Sequence, residues 1–136
     1  EVLSNLMEKL KDDSYSLYVV NFANPDMVGH TGNYEAAKSA MIQIDSCLKE
    51  LEAYCVENDI TMLLTADHGN ADQMVYPDGS PHTSHTGAEV PFVLIKKDVN
   101  NVKINNDKAL RDVAPTILYL LGVEKNELMT GQTIYE

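Results

Sequence analysis

The sequence predicts an α/β layered domain. Three observations carry that expectation: apolar runs at residues 15–22, 60–66 and 90–95 that are too short for helices, stretches of helical spacing between and after them, and polar loops that follow the first two runs.

Taken in order, Leu3, Leu6, Met7 and Leu10 repeat at helical spacing until Asp12-Asp13-Ser14 breaks the pattern, which predicts a short opening helix. Residues 15–22 are rich in aromatic and β-branched side chains without strict alternation, the mark of a strand covered on both faces. Asn24-Pro25-Asp26 ends that run because proline has no N–H for a ladder, and residues 23–32 are predicted as a loop. From Asn33, a natural N-cap, the positions Ala37, Ala40, Met41, Ile44, Leu48, Leu51 and Cys55 advance by three or four. That spacing predicts one long helix with a single buried stripe, closed at Asn58-Asp59.

Residues 60–66 read as a central strand and residues 67–88 as a long polar loop. Within the loop, Tyr76-Pro77-Asp78-Gly79 is a turn signal between segments able to pair as a hairpin. Residues 90–95 give a third strand, and Asn100-Asn101 and Asn105-Asn106 bracket at most a short one. Helical spacing returns over residues 109–121 through Leu110, Val113, Ile117, Leu118 and Leu121. Pro115 should start or kink that helix, and Gly122 is placed to terminate it.

With 136 residues, 44% of them hydrophobic, the chain has the size of one domain, and its formal net charge of −11 disfavours nucleic acid and anionic membrane surfaces. Only ten basic residues are present, and they are scattered. No apolar run approaches the roughly 18 residues of a membrane span. The start, Glu-Val-Leu-Ser-Asn, has neither the basic nor the apolar region of a signal peptide, so a cytoplasmic setting is expected. Cys47 and Cys55 fall on the predicted long helix, where their Cα atoms would lie roughly 12 Å apart. A disulfide needs less than about 7 Å, so both are expected to act as small hydrophobes.

In an open α/β sheet, ligands bind beyond the carboxyl ends of the strands. That rule selects the loop holding Asp26 and His30, and the loop that opens with Asp67-His68-Gly69-Asn70 and later holds His82 and His85. All four histidines therefore fall at one predicted sheet edge. A single Asp and His pair in a loop can serve turn formation or solvation alone. Imidazoles and carboxylates gathered in one place instead suit a borderline divalent metal such as Mn²⁺, Zn²⁺ or Fe²⁺. Asp67 and His68 are consecutive, so both can face a metal only where the strand ends, and Gly69 permits that departure. Of His82 and His85, one is suited to orienting a ligand and not to ligating, since a ligating imidazole is held through its other nitrogen.

The motifs Asn24-Pro25-Asp26-Met27-Val28-Gly29-His30-Thr31-Gly32, Thr65-Ala66-Asp67-His68-Gly69-Asn70-Ala71-Asp72-Gln73-Met74 and His82-Thr83-Ser84-His85-Thr86, with Val90-Pro91-Phe92 after them, carry a specific resemblance. Together they resemble the C-terminal part of cofactor-independent (2,3-bisphosphoglycerate-independent) phosphoglycerate mutases, of the alkaline phosphatase superfamily. Asp112-Val113-Ala114-Pro115-Thr116-Ile117-Leu118 and Met129-Thr130-Gly131 are also similar to the end of that family.

The resemblance implies an incomplete alkaline-phosphatase-like fold, a three-layer α/β sandwich with a mainly parallel sheet, of which residues 1–136 are the C-terminal part of the metal-binding phosphatase domain. It implies that Asp26, His30 and His85 hold one Mn²⁺ and that Asp67 and His68 supply half of a second site, with His82 and Asn70 as supporting neighbours. Zn²⁺, Mg²⁺ or Co²⁺ would satisfy similar ligands. The implied reaction interconverts 3-phosphoglycerate and 2-phosphoglycerate through a phosphoserine.

In that family the nucleophilic serine, an aspartate of the second metal site and the basic substrate pocket come from segments that these residues do not match. The chain by itself is therefore expected to be inactive. Ser84 adjoins His85 without being placed to act as a nucleophile, and Arg111, the lone arginine, is expected on a solvated helix face. Two other readings are a different phosphoesterase or phosphomutase of the same superfamily and a non-catalytic metal-binding module. Exposed sheet edges would favour self-association.

Overall fold

The computed structural model describes residues 1–12, 14–99, 102–105 and 107–135. Asp13, Asn100, Asn101 and Asn106, which marked predicted element ends, lie outside them, as does Glu136. The chain divides into two compact units, Glu1–Lys97 and Asp98–Glu136.

The first unit is built on the predicted long helix. Helices α1 (Val2–Lys9), α2 (Asn24–Gly29) and α3 (Tyr34–Glu57) precede strands β1 (Met62–Thr65) and β2 (Phe92–Ile95). Helix α3 starts where Asn33 accepts the Ala36 N–H through its side chain, 3.0 Å away. It stops in a backbone lock: Asp59 takes φ +57° and the Ile60 N–H reaches back to the Cys55 carbonyl at 2.8 Å. Its stripe buries Leu51 and Cys55 against Met62 of β1, and Leu6 and Leu10 at the first helix pack onto the same cluster. Each fully buried Leu-sized side chain stabilises by about 1.5–3 kcal/mol, so this seam holds α1 and β1 to α3. Cys55 is buried, which pushes its thiol up from the ordinary cysteine range; Cys47 is half-buried, and both are free.

β1 and β2 pair antiparallel, Met62 opposite Ile95 and Thr65 opposite Phe92. The turn at Tyr76-Pro77-Asp78-Gly79 forms as expected, closed by Tyr76 N–H to Ser80 O at 2.8 Å and flanked by a bridge between Val75 and Pro81.

Two expectations are corrected. Residues 15–22 form no strand: the segment has strand composition, but composition alone does not make a ladder, and Val19 is 84% exposed. Tyr18, Val19 and Val20 line a shallow, open groove with Val2, Leu6 and Lys9 of α1. The Tyr18 hydroxyl donates to the Lys9 and Asp12 carbonyls. Residues 23–32 are not a plain loop, because α2 forms within them. Pro25 sits in the first turn of that helix, where an N–H would have no intrahelical partner, so the proline that ends the preceding segment also opens the helix. Among the described residues, the sheet consists of the antiparallel β1–β2 pair.

The second unit has a 3₁₀ turn over Leu110–Asp112 that runs directly into α4 (Val113–Leu120), with Pro115 in its first turn. Gly122, at φ +67°, follows the helix, and the Val123 N–H bonds the Leu118 carbonyl at 2.9 Å. The unit is pinned by buried polar groups. Asp112 accepts the Ala109 and Gln132 N–H groups, each at 2.7 Å. Thr116, fully buried, donates to the Asp112 carbonyl at 2.7 Å and accepts the Ile134 N–H at 2.9 Å. A bridge between Ile104 and Tyr135 is the sole trace, among the described residues, of the short strand expected near 100–106.

Candidate metal centre

Helix α2 converts sequence spacing into a site. Asp26 and His30 stand four apart on it and its C-cap, which places both side chains on one face. His30 Nε2 lies 3.2 Å from Asp26 Oδ1. The loop beyond the Tyr76 turn brings His85 Nε2 to 3.3 Å from the same oxygen. Asp26, His30 and His85 each offer one ligand atom, and the three atoms lie within 4.8 Å of one another.

The separations from Asp26 suit ligation of one divalent ion. Ligand atoms bound at about 2.1 Å to a common ion, at tetrahedral or octahedral angles, stand about 3.0–3.4 Å apart. The two Asp26 separations fall in that window. The orientation of His30 also fits: its Nδ1 is 2.7 Å from the Thr83 carbonyl. A carbonyl can only accept, so Nδ1 carries the proton, which leaves Nε2 as the ring's ligand atom on the Asp26 side.

Asn70 supports the carboxylate from the neighbouring loop. Its buried Nδ2 donates to Asp26 Oδ1 at 2.7 Å. Gly29 allows that approach, for a Cβ built there would collide with Asn70 Oδ1. The hydrogen bond from Asn70 is the main reason the Asp26 carboxyl is held below the ordinary carboxylate range; burial opposes it, and the imidazoles of His30, His85 and His68 add to the lowering.

Asp67 and His68 form a separate pair, with His68 Nε2 3.6 Å from Asp67 Oδ1 and the Asp67 side chain 84% exposed. His68 nonetheless adjoins the cluster: its ring stacks on that of His85 with centroids 3.6 Å apart and planes 20° from parallel. His82 is held elsewhere, buried in the hairpin with its ring 4.6 Å from that of Tyr76. Its Nδ1 has no hydrogen-bond partner among the described residues. Ser84 and Arg111 are both exposed.

Sequence reasoning missed three participants. Thr83 acts through its backbone carbonyl, which no side-chain pattern reveals. Asp72 and Thr86 are joined by Thr86 Oγ1 donating to both carboxylate oxygens at 2.8 and 2.9 Å. The signal available for that pair was only proximity in sequence, Thr86 following His85 and Asp72 lying four beyond His68.

A metal-type donor cluster on an α/β scaffold defines the class. The chain belongs to the Metalloenzyme superfamily, whose family model matches residues 1–125. Among curated relatives it is 44% identical over 98% of its length to the 2,3-bisphosphoglycerate-independent phosphoglycerate mutase of Clostridium kluyveri, covering 26% of that protein. It is 45% identical, over its whole length, to the enzyme of the same name from Francisella philomiragia, covering 27% of it. Among solved structures it is similar to phosphoglycerate mutase of Leishmania mexicana, crystallised at low cobalt concentration. The TM-score is 0.87 at 29% identity, over 99% of this chain and 27% of that one. The chain thus spans about a quarter of the length of these relatives, and its α/β fold is that of the matching part of a phosphoglycerate mutase.

Proposed function

We propose that this chain is the metal-holding C-terminal portion of a 2,3-bisphosphoglycerate-independent phosphoglycerate mutase, which interconverts 3-phosphoglycerate and 2-phosphoglycerate. The observation that carries the reading is the Asp26, His30 and His85 cluster, in a chain whose relatives are named as that enzyme over nearly its whole length. Asp26, His30 and His85 would hold one Mn²⁺, while Asp67 and His68 would contribute to a second. The same ligand types would also take Co²⁺ or Zn²⁺. Such ions, when bound, neutralise charge on a transferring phosphoryl group and lower the pKa of a hydroxyl nucleophile.

The chain's own residues prepare that chemistry. Thr83 fixes the tautomer of His30, and Asn70 keeps Asp26 ionised and aimed. Helix α2 sets the spacing between Asp26 and His30. By the family resemblance the nucleophilic serine lies in a segment that these residues do not match, so the 136-residue chain alone would be inactive in this reading. In the complete enzyme the β1–β2 pair would join a mainly parallel sheet within a three-layer sandwich. Two free cysteines suit a reducing cytoplasmic setting.

Calorimetric titration with Mn²⁺ tests the ligand assignment. The parent chain is expected to bind, and Asp26→Ala, His30→Ala and His85→Ala to lose most of that binding. Equal binding by all four would overturn the assignment. A coupled assay on 3-phosphoglycerate should show no turnover by the purified chain, and measurable turnover would overturn the claim of inactivity.

A further inference from the structure

We infer that Asp72 and Thr86 are positioning residues, a polar clamp that fixes the separation of the His68 and His85 imidazoles and thereby the spacing of the two halves of the metal centre. The significance for metal binding rests on the mutase reading; the clamp itself rests on geometry alone.

His68 and His85 belong to different stretches of the long loop, tied together by the residues that directly succeed them. The Thr86 N–H bonds the Gly69 carbonyl at 2.9 Å, an isolated antiparallel bridge. One backbone bond would leave the two stretches free to slide or splay. The Thr86 hydroxyl removes that freedom by donating to both oxygens of Asp72, at 2.8 and 2.9 Å, while accepting the Ala88 N–H at 3.3 Å. A hydrogen bond to an ionised carboxylate is roughly twice as strong as one between neutral groups. Gly69 closes the arrangement, since a Cβ there would collide with Thr86 Oγ1 and stand 2.5 Å from Asp72 Oδ1. The clamp thus leaves room only for glycine at the position after His68, and its bridge sits one residue from each of the stacked rings.

Asp72 and Thr86 supply no ligand atom. Their effect passes through the imidazoles, and orienting partners of this kind are worth roughly 10–100-fold in metal affinity. The test is a comparison of the 136-residue chain with Thr86→Val, Thr86→Ser and Asp72→Ala, folding being checked by circular dichroism. In the metal-free protein, the ring-proton NMR signals of His68 and His85 should lose the shifts that stacking imposes in Thr86→Val and Asp72→Ala. Thr86→Ser, which keeps the hydroxyl, should retain them.

Titration with Mn²⁺ followed by electron paramagnetic resonance should show weakening by roughly 10–100-fold in the first two variants and parent-like binding in Thr86→Ser. Parent-like ring signals in folded Thr86→Val and Asp72→Ala would overturn the clamp. Should Thr86→Val fail to fold, the exposed Asp72→Ala substitution decides alone. Should the parent bind no Mn²⁺, the mutase reading of the site fails, while the ring signals still decide whether the clamp exists.

Discussion

The side chain of Asn70 donates to Oδ1 of Asp26 across 2.7 Å, joining residues 44 positions apart in the sequence. The bond links the loop after β1 to helix α2 and acts on the oxygen that also faces His30 and His85. Its removal should therefore be felt as a titration effect before any metal is added. In Asn70→Ala, the Asp26 carboxyl is expected to titrate higher, toward the ordinary aspartate value near 3.9, because the donor that most favours its ionised form is gone. Carboxyl carbon NMR shifts tracked against pH measure this directly. An unchanged Asp26 titration in a folded Asn70→Ala protein would show that the carboxylate is set by the imidazoles alone.

Asp112 governs stability of the second unit with a defined pH dependence. Burial pushes its carboxyl up, yet the Gln132 and Ala109 N–H groups, aided by the charges of Lys108 and Arg111, bring it below the ordinary range. A carboxyl depressed by folding contributes stability at pH above its unfolded value, near 4, and that contribution is lost as pH falls through the folded value. Asp112→Asn should thus cost about 1–3 kcal/mol at neutral pH, since an amide cannot accept both N–H groups as a carboxylate does. The gap to the parent should narrow in acid. Urea denaturation at pH 7 and pH 3 measures both, and an equal loss at the two pH values would contradict a charge-assisted role.

How much of the molecule is legible in its sequence depends on how local each interaction is. Helix α3 was readable because its stripe, its Asn33 cap and its Asn58-Asp59 end are all set by neighbouring residues. The gathering of Asp26, His30 and His85 was expected at a shared sheet edge, but residues 15–22 form no strand, and the three meet by another route, the four-residue spacing along α2 and the loop that carries His85. Helix α2 was not readable: Pro25 signals a break and a helix start alike, and the choice between them is made by how the succeeding residues pack in space. Residues 15–22 failed for the complementary reason. Composition reports that a segment can be a strand, but pairing is a property of a partner. The Asp72 and Thr86 clamp depends on a hydroxyl meeting a carboxylate across a loop, which no periodicity encodes.

The exposed apolar side chains of residues 15–22 carry the remaining prediction, self-association of the isolated chain. Residues 15–22 hold Tyr15, Leu17 and Val19 exposed, and the structure gives them neither helix nor strand. Exposed apolar stretches of strand-forming composition are prone to pairing with another chain. The net charge of −11 opposes the contact at low ionic strength. Screening should weaken that repulsion, since the Debye length falls from about 10 Å at 0.1 M salt to about 3 Å at 1 M. Light scattering should therefore show mass rising with protein concentration, and rising further as salt is added. Val19→Lys, which places a charge at the most exposed apolar position of the segment, should suppress the effect while leaving α3 and its core seam intact. A monomer at every concentration and salt level, or association indifferent to Val19→Lys, would remove residues 15–22 as the contact.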